Sequence, residues 1–149
     1  MGSTLTNILI HVIFSTKNRE RKIVTEIREE LYRYMGGIIK RENGILIEIG
    51  GISDHVHILV KLKPFHSLSE MIQKIKSNSS KWINKQKKMN EDFNWQEGYG
   101  GFSVSESQVQ KVVNYIKEQE KHHRSLTFKE EFVQILELHG VEYDGRYLW

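Results

Sequence analysis

Hydrophobic residues recur with two different periods along this chain, and the order in which the periods alternate constrains the fold. Three segments rich in β-branched and other apolar residues predict strands: Leu5 to Ser15, Ile45 to Ile49 and His55 to Leu62. Between the first two, apolar residues at helical spacing predict a helix from Thr25 to about Glu42. Gly50 to Asp54 predicts a turn that joins the second strand to the third.

The second half of the chain continues this alternation. Ser67 predicts the start of a helix, and Glu70 completes a capping box with it. A short fourth strand is expected at Gly101 to Val104, followed by helices from Ser105 to about His122 and from Glu130 to His139. The order strand, helix, strand, strand, helix, strand predicts an α+β, ferredoxin-like (split βαβ) fold. We expect an antiparallel sheet with helices on one face, plus extra C-terminal helices.

Composition narrows the possible chemistry. The 149 residues contain no cysteine, so a metal site has to use histidine, carboxylate or amide ligands, and a cysteine nucleophile is excluded. We find no composition break or Pro/Ser-rich linker, and therefore expect one domain over residues 1–149. Neither a signal peptide nor an apolar stretch long enough to cross a membrane is present, which favours a cytoplasmic protein.

The positive charge of this chain is concentrated in one segment. Net charge is only +3, but residues 71–90 contain six lysines and no acidic residue. A basic stripe of this kind is typical of nucleic-acid binding, although a solvated helix face would have the same composition. The lysines are Lys74, Lys76, Lys81, Lys85, Lys87 and Lys88.

Two pairs of residues are candidates for chemistry. His55 and His57 lie two apart on a predicted strand and therefore point to the same face, as a pair of metal ligands would. Tyr115 and Gln119 lie four apart on a predicted helix and also share a face. Gln119 offers an oxygen ligand, and Tyr115 is a candidate nucleophile toward a phosphate activated by a metal. Spacing alone leaves open ordinary hydrogen-bonded histidines and a core tyrosine.

Four motifs in order resemble a known family. They are Ser15-Thr16-Lys17-Asn18-Arg19, Asp54-His55-Val56-His57, the segment from Lys76 to Ile83 (KSNSSKWI), and the segment from Tyr115 to His123 (YIKEQEKHH). Together they resemble the single-tyrosine HUH transposases of the insertion-sequence-200-like family, in which HUH denotes two histidines around a hydrophobic residue. The resemblance covers nearly the whole chain.

The resemblance implies a site and a reaction. His55, His57 and Gln119 would hold Mg²⁺ or Mn²⁺, and Tyr115 would attack the scissile phosphate and become joined to its 5′ side. A free 3′-OH would later rejoin the DNA. The expected partners are single-stranded DNA bearing a hairpin and a second copy of the chain, with an active site that two subunits can share. The residues expected to contact DNA are Lys17, Arg19, Arg21, Lys74, Lys76, Lys81 and Lys85.

Other histidines and two other functions remain open at this point. His11 and Asp54 are candidate partners for the two metal-binding histidines, but a packed histidine and a turn residue explain them equally well. His123 shares the face of Gln119, and we expect a structural role for it near the helix end. The alternative functions are a non-catalytic nucleic-acid-binding module and a nickase for replication or plasmid transfer.

Overall fold

Four antiparallel strands form the centre of the protein, and the computed structural model describes residues 2–86 and 91–148. The strands are β1 (Ile8–Ser15), β2 (Ile45–Ile52), β3 (His55–Leu62) and β4 (Gly100–Val104), in the spatial order β2-β3-β1-β4. β1 pairs with both β3 and β4. The strand that carries His11 therefore lies beside the strand that carries His55 and His57. The predicted α+β, ferredoxin-like class is confirmed.

Two helices cover one face of the sheet. They are α1 (Thr25–Arg41) and α2 (Leu68–Gln86). The largest cluster of buried apolar residues lies between them and the sheet, with Phe14 and Ile58 of the strands among its members and Leu31 and Ile72 of the helices. Burying this surface stabilises the fold by the hydrophobic effect and leaves the opposite face of the sheet for the functional residues.

The extra C-terminal helices cover that opposite face. They are α3 (Val109–Lys117), α4 (Gln119–His122) and α5 (Phe128–Leu138). The predicted continuous helix from Ser105 to His122 is wrong at Glu118, where α3 ends because the Glu118 backbone leaves the helical region, with φ −97° and ψ 21°. Ser105 precedes a short 3-10 turn and makes no capping hydrogen bond with its side chain.

Helix α5 begins earlier than the sequence predicted. Thr127 caps it, since its side chain accepts from the Glu130 N–H while the Glu130 carboxylate accepts from the Thr127 N–H. The capping box corresponds to the sequence pattern Thr-x-x-Glu at residues 127–130. Because of it, α5 begins at Phe128 rather than at the predicted Glu130.

Strand β2 is longer than predicted, since Gly50 and Gly51 belong to the strand rather than to the turn. Both glycines are needed for close packing. A Cβ atom on Gly50 would lie 2.6 Å from the Ile116 carbonyl oxygen, and one on Gly51 would lie 2.2 Å from the His55 carbonyl oxygen. Gly50 therefore allows α3, which carries Tyr115, to approach the sheet.

Two lysines of the basic segment, Lys87 and Lys88, lie outside the described residues. Within the described part of the chain, no helix is long and apolar enough to cross a bilayer.

Candidate metal centre and nucleophile

Three histidines project from the face of the sheet that α3, α4 and α5 cover. His55 and His57 lie two residues apart on β3 and point to the same face. His11 lies on the neighbouring strand β1, two residues before Ile13, which pairs with His57. The side chains of His55 and His57 are completely buried, and His11 is 6 % exposed. The strand period thus brings three imidazoles together in a site closed to bulk water.

The C-terminal helices bring two side-chain oxygen atoms to this cluster. Gln119, the first residue of α4, places Oε1 3.0 Å from His55 Nε2. Glu131 of α5 places Oε1 3.1 Å from His57 Nε2 and 3.3 Å from His55 Nε2. Nε2 of both HUH histidines and Oε1 of Glu131 therefore converge on one point.

His123 also belongs to the cluster. Its Nε2 lies 3.1 Å from both Gln119 Oε1 and Glu131 Oε1. Its Nδ1 lies 2.6 Å from the Leu126 carbonyl oxygen, which fixes the ring. We expected a structural role for His123 near the helix end, and its Nδ1 contact fits that role. Its Nε2 atom also faces the site, which was not expected.

Each HUH histidine has a partner at its second ring nitrogen. Asp54 Oδ1 lies 2.7 Å from His55 Nδ1, and His11 Nε2 lies 2.8 Å from His57 Nδ1. Histidines that bind metals through one nitrogen usually donate a hydrogen bond from the other, which sets the tautomer and the ring orientation. Both rings are therefore held with Nε2 toward Glu131.

Burial and the neighbouring charges separate the protonation states of these groups. Burial, reinforced by His57, lowers the pKa of His11 to about 3. Burial also acts to lower the pKa of His55, but hydrogen bonds to Asp54 and Glu131 outweigh it and raise that pKa to about 9. Burial alone would raise the pKa of Glu131, yet hydrogen bonds from His123, His55 and His57 hold it far below its usual range. The carboxylate is thus ionised, and a metal binding at this site displaces the His55 proton.

Tyr115 lies at the edge of this cluster within the same chain. Its hydroxyl donates a hydrogen bond to Glu131 Oε2, and its ring centroid lies 5.8 Å from that of His57. The ring is stacked on His122 with a centroid separation of 4.6 Å. Burial, and then the charge of Glu131, raise the pKa of Tyr115, so the resting phenol is protonated and a poor nucleophile.

The donor set fits a divalent cation. Atoms of His55, His57 and Glu131 lie within 4.8 Å of one another, and all three residues are buried. Ligands at right angles on metal bonds of about 2.1 Å are about 3.0 Å apart, close to the donor separations found here. The carboxylate and amide oxygens are donors that Mg²⁺ and Mn²⁺ prefer, and the anionic Glu131 supplies charge that the neutral histidines and Gln119 lack.

The predicted DNA-contacting residues after β1 lie beside this centre. Arg19 and Arg21 line a cavity of about 650 Å³ together with Asp54 and His123. Arg124, which the sequence did not single out, lines it as well. We call this the arginine cavity. Lys17 is exposed in the adjoining 3-10 turn.

The predicted lysines of α2 lie on the other side of the sheet from the histidines. Lys76 donates hydrogen bonds to the Gln96 and Gly98 carbonyls and so holds the segment before β4 in place. Burial lowers the pKa of Lys76 to about 8. Lys74 pairs with Glu42 at 3.0 Å. Lys81 and Lys85 are exposed. DNA contact by these lysines stays a prediction.

Glu131 is the main site residue that sequence reasoning missed. It lies twelve residues beyond Gln119, in a different helix, and no local spacing links it to the histidines. His123 was placed on the face of Gln119 by the helical period, but a structural role was expected for it rather than a contact with the site.

The comparisons with known proteins agree with this arrangement. Residues 4–119 match the sequence model of the family described as transposase IS200 like. The chain belongs to the IS200-like transposase family. The family match ends at Gln119, so Glu131 and helix α5 lie beyond it.

Relatives and solved structures extend the comparison. The chain is 26% identical over 125 residues to the transposase for insertion sequence element IS200 from Salmonella typhimurium strain LT2 and to that from Salmonella typhi. This match covers 80% of the chain and 81% of each relative.

Two solved structures share the fold. A putative transposase from Deinococcus radiodurans R1 superimposes with a TM-score of 0.65 at 22% identity, over 80% of this chain and 95% of the other. A REP-associated tyrosine transposase bound to a REP hairpin superimposes with a TM-score of 0.63 at 13% identity, over 83% of this chain and 72% of the other.

Proposed function

We propose that this member of the IS200-like transposase family cleaves and rejoins single-stranded DNA, with Tyr115 as nucleophile and His55, His57, Gln119 and Glu131 as ligands of Mg²⁺ or Mn²⁺. The observation that carries the proposal is the Glu131 carboxylate: Oε1 faces both HUH histidines while Oε2 accepts from the Tyr115 hydroxyl. The nucleophile and the metal ligands thus meet at one side chain.

The residues of the chain divide the work. Asp54 and His11 orient the two HUH rings, and Glu131 holds the Tyr115 hydroxyl beside them. A cation held there would supply Lewis-acid chemistry, neutralising charge on the scissile phosphate and on the departing 3′ oxygen. Because the phenol has a raised pKa, Tyr115 reacts only when a phosphate polarised in this way is beside it.

The reaction balances as a phosphoryl transfer. The Tyr115 oxygen forms a bond to phosphorus, the bond from phosphorus to the 3′ oxygen breaks, and the proton lost by the phenol is balanced by the proton that the departing 3′ oxygen gains. The DNA is left with a 3′-OH and with a 5′ phosphate joined to Tyr115. Attack by a 3′-OH on that phosphotyrosine reverses these changes and rejoins DNA without ATP, since the number of phosphodiester bonds is conserved.

The arginine cavity is the proposed entry for the single strand. Three arginine side chains line it, and its wall includes Asp54 and His123, both in direct contact with site residues. Guanidinium groups bind phosphate oxygens in two-point contacts that position a strand without reading its sequence. The REP-bound structure holds a hairpin, and we propose that a hairpin on the substrate of this chain remains outside this cavity.

The alternative of a base-stacking module on an open sheet receives no support from the fold. Modules of that kind stack bases on exposed aromatic residues of the sheet. Here α1 and α2 cover one face, and the described C-terminal helices pack against the histidine face.

A covalent-adduct assay tests the proposal. The purified chain, Mn²⁺ and hairpin-bearing single strands from the DNA flanking its gene should give a protein–DNA adduct that survives denaturation. Tyr115→Phe should abolish the adduct and retain DNA binding, because only the phenol oxygen is lost. Tyr143→Phe, at an exposed tyrosine, is the matched control and should react normally. An adduct formed by Tyr115→Phe would rule out this nucleophile.

A further inference from the structure

A second cavity lies on the other side of Tyr115, between α3 and α5. Its volume is about 490 Å³, within the range of about 300 to 1,000 Å³ typical of small-molecule sites. We call it the α3–α5 cavity and define it by Gln108, Lys111, Tyr115, Leu138 and His139. No described contact of the metal centre uses Gln108, Lys111 or His139.

The α3–α5 cavity borders the metal centre. Tyr115 lines it, and so does His11, whose Nε2 lies 2.8 Å from His57 Nδ1. The arginine cavity reaches the centre from the side of His55, through Asp54 and His123. The two cavities therefore border the candidate centre through different residues, the α3–α5 cavity through Tyr115 and His11 and the arginine cavity through Asp54 and His123.

The walls of the α3–α5 cavity suit a flat heteroaromatic group. Apolar surface from Val112 and Ile135 is combined with the hydroxyls of Ser103 and Ser105 and the amide of Gln108. The His139 residue is exposed, and its ring is stacked on Phe102 with a centroid separation of 4.7 Å. This stacking fixes the orientation of the His139 ring. Nucleobases bind proteins through these two features, stacking and hydrogen bonds at their edges.

Charge points to the same class of ligand. Lys111 lines the α3–α5 cavity, and none of the described residues that line it is acidic. The arginine cavity, by contrast, includes Asp54 and Glu120. A wall with one cation and no carboxylate favours an anionic nucleotide.

We propose that the α3–α5 cavity binds the base of one unpaired nucleotide next to the scissile phosphate. The inference rests on the proposed function for the identity of the strand. It adds a base-binding site formed by Gln108 and His139, outside the residues that hold the metal.

Nuclear magnetic resonance titration of the full chain tests the site directly, in EDTA so that no metal is involved. The probes are the four deoxynucleoside 5′-monophosphates, with 2-deoxyribose 5-phosphate as the probe that lacks a base. We expect at least one nucleotide to shift the amide signals of Ser103, Gln108, Lys111 and His139, and the baseless sugar phosphate to leave them unchanged. Equal shifts with the baseless probe, or shifts elsewhere only, would overturn the proposal.

Two variants localise the binding. Gln108→Ala and His139→Ala should each weaken the nucleotide affinity roughly tenfold, the loss expected for one stacking or edge contact. Gln110→Ala is the matched control, since Gln110 is an exposed glutamine of α3 that does not line the cavity. An equal loss in all three variants would mean that the effect does not come from contacts inside the cavity, and would overturn the assignment.

A second copy of the chain is the competing occupant. In that case the Gln108 and His139 signals would shift with protein concentration and not with nucleotide, which would overturn the proposal.

The adduct assay separates this inference from the proposed function. Nucleotide binding without any covalent adduct would leave the base site in place and remove the transposase chemistry. An adduct without nucleotide binding would remove only the base site.

Discussion

Glu131 contributes both of its carboxylate oxygens to the candidate centre. Oε1 faces the Nε2 atoms of His55, His57 and His123, and Oε2 accepts from Tyr115. The residue is 1 % exposed, so its charge acts in a medium of low dielectric constant and has a large effect on its neighbours. A buried carboxylate in this position is expected to raise metal affinity and to hold the nucleophile in one orientation.

Glu131→Gln should therefore weaken Mn²⁺ binding roughly tenfold or more, because an anionic ligand is replaced by a neutral one of the same shape. Isothermal titration calorimetry or the electron paramagnetic resonance of free Mn²⁺ would measure this without DNA. Glu137→Gln, at an exposed position of the same helix, is the control and should leave the affinity unchanged. Equal affinities for the two variants would remove Glu131 from the ligand set.

Asp54 sets the protonation state of His55, and this gives a prediction on stability. Hydrogen bonds to Asp54 and Glu131, working against burial, raise the folded pKa of His55 from 6.5 to about 9. A raised pKa stabilises the folded state fully below pH 6.5, and this contribution is lost between pH 6.5 and about 9. In EDTA, Asp54→Asn should lower the melting temperature more at pH 6 than at pH 10.

The size of the Asp54 effect follows from the contact. Loss of a buried charged hydrogen bond costs about 1.5–3 kcal/mol, which corresponds to several degrees in a chain of this length. Thermal unfolding followed by circular dichroism across this pH range measures it, with the exposed Asp92→Asn as control. A difference between wild type and Asp54→Asn that is independent of pH would show that Asp54 does not act through the His55 charge.

At the scale of elements, the contact between β2 and α3 positions Tyr115. Gly50 of β2 lies against the carbonyl of Ile116, the residue after Tyr115. The sequence indicated a turn at Gly50 because glycine pairs commonly form turns. In the fold, the missing side chain instead serves the close approach of a helix, which a local pattern does not reveal.

Gly50→Ala should destabilise the protein by about 1–3 kcal/mol, since the new Cβ forces α3 outward. Adduct formation should fall with it, because Tyr115 moves together with Ile116. Gly37→Ala is the matched control: a Cβ there meets nothing within 4 Å, and alanine in helix α1 should stabilise by up to about 1 kcal/mol. Chemical denaturation of the two variants would be compared, and equal stability would show that the β2–α3 contact is not tight.

At the scale of the whole molecule, one chain contains the proposed nucleophile and the proposed metal ligands together. Tyr115 contacts Glu131 of its own chain, and Glu131 contacts His55 and His57 of that chain. The sequence left open whether two subunits share the active site, and assembly into a dimer stays a prediction. The contacts favour a site completed within each chain.

Mixing two inactive variants tests this arrangement. Tyr115→Phe and His57→Gln each lack one half of the site, and we expect their mixture to form no adduct if each chain uses its own residues. A shared site would restore adduct formation in mixed dimers, each of which has one intact combination of Tyr115 and His57. Circular dichroism of both variants confirms that they are folded, and co-refolding ensures that subunits exchange.

The parts of the site that could be predicted from the sequence follow local periodicity. His55 and His57 share a face because strands repeat every two residues. Tyr115 and Gln119 were expected on one helix face, and they stay close although α3 ends between them, with Gln119 Nε2 3.4 Å from the Tyr115 carbonyl oxygen. The strand and helix order likewise predicted the sheet, with errors at Gly50, at Glu118 and at the start of α5. Each error lies where a neighbouring element or a capping interaction decides the backbone.

The sequence by itself determined the fold class, the pair of histidines on one strand, and the pairing of Tyr115 with Gln119. Only the tertiary structure decided that His11, His123 and Glu131 join them, and that Lys74 and Lys76 are engaged within the protein. The physical reason is the separation along the sequence of the residues that are in contact. Side chains related by a helical or strand period are placed by the backbone geometry of a few residues, whereas contacts between β1, β3 and α5 depend on how whole elements pack to bury their apolar faces.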